Sequence, residues 1–104
     1  MRLPLEIETS EDHLAFDLFE ATTLALGVSL SLPGAAVLIF RGVQPGLVRL
    51  EIRAERETSI APAAAWLCQR LNGRVRALRI GGTAVEVDPG KVEQALNQQA
   101  GGQP

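Results

Sequence analysis

Histidine and cysteine occur once each in the 104 residues, as His13 and Cys68. Zinc sites built from several Cys and His ligands are therefore excluded. His13, Asp17 and Glu20 recur at i, i+4 and i+7, which would place them on one helix face. Such a face either holds a hard cation weakly or is a solvated acidic surface with a His13–Asp17 pair. A nucleophile needs a base and a group that orients the base. Cys68 falls beside the apolar stripe of an expected helix, and nothing near it in sequence lowers a thiol pKa. It reads as a small buried hydrophobe rather than a nucleophile. Glu6 and Glu8 lie two apart on the wet side of an expected strand, where they serve solubility. No Gly-rich strand–turn–helix runs into Lys-Ser or Lys-Thr, so no phosphate loop is expected. These observations assign no catalytic residue, no cofactor site and no metal ligand, and the chain is expected not to be an enzyme.

Arg70, Arg74, Arg76 and Arg79 form the densest basic cluster. Guanidinium forks match phosphate geometry, so nucleic acid is one partner class they suit. Against it, the net charge is −2, Tyr is absent, and neither an RNP-like nor a helix-turn-helix signature occurs. Period-2 alternation also sends Arg74 and Arg76 to one strand face and Arg79 to the other. Two aromatics fall off the apolar helix stripes: Phe16, in a sector with His13 and Glu20, and Trp66, in a sector with Pro62 and Arg70. They either pack at an edge, with Trp66 stacked on Arg70, or form exposed anchors of the kind enriched at protein interfaces. Phe16, Trp66, Arg70, Arg74 and Arg76 are the candidate interface residues.

The charge is segregated along the chain. Residues 1–40 carry six acids against Arg2, and residues 41–82 carry eight Arg against three Glu. The two segments either neutralise each other in the fold or create a bipolar surface that orients a partner. A hydrophobic fraction of 46% with 21% charged residues excludes intrinsic disorder, and a single Cys excludes a disulfide scaffold. The opening MRLPLEIE lacks an apolar signal core, and no run approaches the ~20 apolar residues of a membrane span. A cytoplasmic protein is expected.

The elements follow from periodicity. Leu3, Leu5 and Ile7 alternate with polar residues as a strand, and Pro4 belongs near its start or on a free edge. Thr9 or Ser10 then caps a helix, Thr9 with Asp12 forming a capping-box-like pair. Its stripe runs Leu14, Ala15, Leu18, Phe19, Thr22, Ala25, Leu26, and Gly27 ends it. Strands are expected at 28–32, at 35–40 as a run covered on both faces, and at 48–54 in strict alternation. A second helix begins at Ala61 with Pro62 at the first helical position, and carries Ile60, Ala63, Ala64, Leu67 and Leu71 on its stripe. Strands at 74–80 and 83–88 flank a Gly81-Gly82 hairpin turn, and Asp88 caps a short helix opening at Pro89. The expected order is β-α-β-β-β-α-β-β-α. It describes one α+β two-layer domain over 1–99, a mixed sheet of five or six strands with two main helices on one face, and a frayed tail at 100–104. If the first and fourth strands are neighbours, Glu6 and Glu8 face Arg49 and Arg53 across the sheet.

Residues 63–96, AAAWLCQRLNGRVRALRIGGTAVEVDPGKVEQAL, carry a small-residue helix, an Arg-rich strand, a turn, a strand ending in V-x-V-D and a closing helix. With the opening LEIETSEDHLAFDLF, this pattern resembles the effector-associated constant component proteins, short bacterial adaptors of conflict systems. The resemblance spans about half the chain, and residues 28–54 depart from it with two tight Pro-Gly turns. It implies an adaptor that couples other proteins and transfers no functional residue. The expected function is thus a non-enzymatic protein–protein interaction module. Alternatives are a homo-oligomer assembling through a sheet edge or the Val37–Phe40 strand, an inhibitor protein, a small-ligand domain using Cys68 or the acidic helix, and a nucleic-acid binder through the Arg cluster.

Overall fold

The computed structural model describes residues 1–11 and 13–101. Six strands, β1 (Arg2–Glu8), β2 (Ser29–Leu32), β3 (Ala36–Gln44), β4 (Leu47–Ala54), β5 (Ala77–Ile80) and β6 (Thr83–Val85), form one sheet in the order β2-β3-β4-β1-β5-β6. Helices α1 (Leu14–Phe19), α2 (Ile60–Leu71) and α3 (Pro89–Gly101) intervene, with one 3₁₀ turn at Glu57–Ser59. The element order and the α+β class match the sequence expectation. Every strand pair is antiparallel, however, so the sheet is not mixed. Helix α2 links β4 to β5, which run parallel to each other but are separated by β1, so the crossover leaves every neighbouring pair antiparallel.

The core lies between that sheet face and the helices. Leu3, Leu5 and Ile7 of β1 and Leu50 and Ile52 of β4 are buried against Ile60, Ala63, Ala64, Leu67 and Leu71 of α2. Alternation alone dictates the strand contributions, and 3.6-residue spacing dictates those of α2. Val92 and Leu96 bring α3 onto the same core. The third helix is the longest of the three rather than a short closing piece, and it extends through Ala100 and Gly101, which were expected in the tail. The rest of that tail, 102–104, lies outside the described residues. Asp88 caps α3 as expected, its Oδ2 accepting the Lys91 N–H at 3.1 Å.

Several local expectations are corrected. Helix α1 stops at Phe19 instead of Leu26, because Glu20 turns left-handed (φ 52°) and the Ala21 N–H closes back on the Phe16 carbonyl at 3.0 Å. The chain must then pass β4 and β3 to reach β2 at the sheet edge, about 14 Å away at the usual strand spacing. Residues 21–28 make that crossing, so Thr22, Ala25 and Leu26 are exposed rather than part of a buried stripe. Thr9 does not cap the helix: its hydroxyl accepts the Glu11 N–H (3.0 Å) and donates to the Arg74 carbonyl (2.8 Å). Its expected capping partner, Asp12, lies outside the described residues. Strand β5 starts at Ala77 rather than Arg74, since its inner neighbour β1 ends at Glu8, paired with Ala77. Strand β6 ends at Val85, paired with Leu78, rather than at Asp88.

Pro4 sits in a central strand, not at a free edge. The Gly81 N–H donates to the Pro4 carbonyl, so the Pro4 nitrogen also faces the β5 side. The ladder there begins only at Leu5–Ile80, and the missing N–H interrupts no strand pair. Helix α2 begins at Ile60, which leaves Pro62 still inside the first turn, where N–H groups have no partner in the helix.

Candidate protein-interaction surface

Strand β3 decides what the surface presents. Its ladder with β4 runs in register to Phe40–Leu50 and resumes at Gly42–Arg49, so Arg41 is an inserted residue. This β-bulge reverses the alternation. Gly42 takes φ +144°, a backbone conformation that side chains disfavour. Arg41 follows helix-facing Phe40 onto the side of the sheet away from the helices, and because of the bulge Val43 pairs with Val48 on the helix side. The strand expected to end at Phe40 continues to Gln44, and the Arg41-Gly42 pair was the sequence signal for the bulge.

On the helix side, an apolar groove of about 370 Å³ opens between α1 and the β3–β4 hairpin. Phe16, Leu24, Phe40, Val43 and Leu47 line it, with Glu11 and Gln44 at its rim. Val43 is 62% exposed on this side of the sheet. Leu26, 74% exposed, lies outside the groove lining, its Cδ2 3.8 Å from where a Cβ on Gly42 would stand. Phe16, half-buried, is the one expected anchor that belongs to this groove. Its partners Leu24 and Val43 were missed, because their exposure depends on where α1 stops and where β3 bulges.

Trp66 and the arginines lie elsewhere. Trp66 is half-buried and packs against the core, and the Arg70 guanidinium stands 5.1 Å from its ring centroid. That is the edge-packing arrangement, with a cation–π contact. Arg70 also reaches Glu20 at 3.4 Å. Arg74 donates to Glu11 (3.0 Å) and Asp17 (2.6 Å), and these two hydrogen bonds, Glu11 foremost, raise its pKa. Arg79 pairs with Glu8 and Arg49 with Glu6. Five acids of the N-terminal segment are thereby joined to arginines of the middle segment, so the two segments neutralise each other within the fold. The Arg cluster is not one patch: Arg74 is tied to α1, Arg79 lies on the open sheet face, and Arg76 precedes β5 with its N–H on the Glu8 carbonyl at 2.7 Å. Arg74 and Arg76 are not strand residues, which corrects their expected common face.

The groups considered for chemistry are scattered. Cys68 is 4% exposed, and burial, with a smaller contribution from Asp88, pushes its thiol up to about 11. His13 precedes α1, its ring 6.1 Å from that of Phe16, and Glu20 lies past the helix end, so His13, Asp17 and Glu20 do not form one helical face. Among the described residues, no three of His, Cys, Asp and Glu are grouped to hold a metal ion. No described helix is long and apolar enough to cross a membrane. The Val37–Phe40 segment lies inside the sheet between β2 and β4, so it offers no edge for assembly; the free edges are β2 and β6. No family model, curated protein or solved structure matches the chain.

Proposed function

We propose that this protein is a non-enzymatic adaptor that binds another protein through the groove between α1 and the β3–β4 hairpin. The observation that carries the reading is the apolar patch itself. Val43 stands exposed in a groove lined by Phe16, Leu24 and Phe40, whereas most other large aliphatic side chains of the sheet and helices are buried. Contiguous exposed apolar surface with a polar rim is what a protein interface buries. The buried, proton-retaining Cys68 supports a binding role over catalysis. The outline shared with effector-associated constant component proteins supports a cytoplasmic bacterial adaptor of a conflict system.

The test is affinity capture of the tagged protein from nuclease-treated native lysate, compared with Val43→Glu. The position is solvent-exposed, so circular dichroism should stay unchanged. The expected result is one partner captured at near-equal amount by the wild type and lost with the variant. A partner retained by the variant overturns the assignment to this groove. If only the bait is recovered, light scattering decides: a dimer that Val43→Glu returns to monomer would place a second copy in the groove instead.

A further inference from the structure

The sheet face away from the helices is a separate surface with its own chemistry. Alternation and register place Arg2, Arg41, Arg49, Arg53 and Arg79 on it. Its acids are Glu6, Glu8 and Glu51. Leaving Arg2 aside, four guanidiniums share the face with three carboxylates on a chain whose net charge is −2. The carboxylates are engaged: Glu6 with Arg49 at 3.6 Å, Glu8 with Arg79, and Glu51, only 7% exposed, with Arg53 at 2.9 Å. Arg41 is exposed and makes no ion pair among the described residues. Arg41, Arg49 and Arg79 line a shallow cavity of about 480 Å³ across β3, β4, β1 and β5, together with Glu6 and Glu51. Gly81 and Gly82 bound one end without side chains.

The chemistry narrows the occupant. A second copy of the same face would bring two positive surpluses together, which charge repulsion opposes. Single-stranded nucleic acid binds through aromatic stacking platforms, and here Phe19 and Phe40 are in the core while Phe16 and Trp66 lie on helices. The interleaved glutamates would also repel a continuous phosphate backbone. An added carboxylate suits the Arg41 fork, beside which Arg49 and Arg79 already hold Glu6 and Glu8. We infer that the open sheet face binds an acidic polypeptide segment, with Arg41 as its principal carboxylate contact. This site is independent of the apolar groove, and failure of either leaves the other standing.

The experiment is fluorescence anisotropy with a labelled peptide of alternating Glu and Ser, its Gln–Ser counterpart, and an oligothymidine of similar length. The protein is compared with Arg41→Glu, Arg79→Gln and, as a charge control on α3, Lys91→Glu. The expected result is binding of the Glu–Ser peptide but not the Gln–Ser peptide, weakened about ten-fold or more by Arg41→Glu and within about two-fold of wild type in Lys91→Glu. Should Arg41→Glu fail to fold, Arg41→Gln reads the same contact. Equal binding of the two peptides overturns the inference, as does equal weakening by Lys91→Glu. Tighter binding of oligothymidine than of the Glu–Ser peptide also overturns it and assigns the face to nucleic acid.

Discussion

Removing the thiol of Cys68 tests whether the residue belongs to the core or to chemistry. In the fold the thiol is pushed up to about 11 from an ordinary value of 9.0, chiefly because burial disfavours the thiolate. The folded state therefore holds this proton more tightly than the unfolded chain. Stability from this source is complete below pH 9 and declines as the pH rises toward 11, because the unfolded thiol ionises first. The two-unit difference amounts to about 2.7 kcal/mol at its limit, of which about 2 kcal/mol is lost by pH 11. Cys68→Ala removes this titration and leaves every other alkaline group in place. Urea denaturation of both proteins from pH 8 to 11 should show the wild type losing about 2 kcal/mol more than the variant over that span. At pH 8 the wild-type thiol should react with a disulfide reagent only as fast as the protein opens. Parallel stability curves, or fast labelling of native protein at pH 8, would refute the reasoning and return Cys68 to the candidates for chemistry.

Two further outcomes test the packing that holds the binding surfaces. Gly34 has φ +86°, and a Cβ there would lie 2.8 Å from Cγ of Pro62. Gly34→Ala should therefore cost about 2–5 kcal/mol, combining left-handed backbone strain and overpacking, read as a drop in urea midpoint; a loss under about 0.5 kcal/mol would mean that the β2–β3 turn does not rest on α2. Asp88→Ala should cost about 1 kcal/mol by freeing the Lys91 N–H, with an unchanged denaturant slope, and no change in midpoint would deny the cap a role in α3.

Much of the fold was legible because local period and tertiary burial agree in its central elements. Val48, Leu50, Ile52 and Ala54 alternate without interruption, and β4 lies in the middle of the sheet, where alternation is enforced by burial. Ile60, Ala63, Ala64, Leu67 and Leu71 mark α2 for the same reason. The pairing of Glu6 with Arg49 followed from strand faces once β1 and β4 became neighbours. The failures share a different cause. Thr22, Ala25 and Leu26 continue the spacing of α1, but a helix ending at Leu26 would leave the chain unable to cross two strands to β2. Pro4, expected near the strand start or on a free edge, lies near the start of β1 inside the sheet. The bulge at Arg41 is invisible to hydrophobic pattern, since neither Arg41 nor Gly42 is apolar. The groove depends on where α1 stops and where β3 bulges, so Phe16 was found from its off-stripe position while Leu24 and Val43 were not.

The bulge also explains how so small a domain carries two unlike surfaces. In a regular strand, residues two apart share a face. Arg41 and Val43 do not, because the inserted residue reverses the alternation between them. One side of the hairpin therefore offers a guanidinium to the open sheet face, and the other offers an aliphatic side chain to the groove beside α1. The ion pairs between the acidic and basic segments support this division by consuming charge at the α1–α2 seam and leaving the positive surplus on the sheet. The proposed adaptor role needs two surfaces that do not compete for one partner. Opposite faces of a single strand would supply them, one suited to apolar contact and the other to carboxylates.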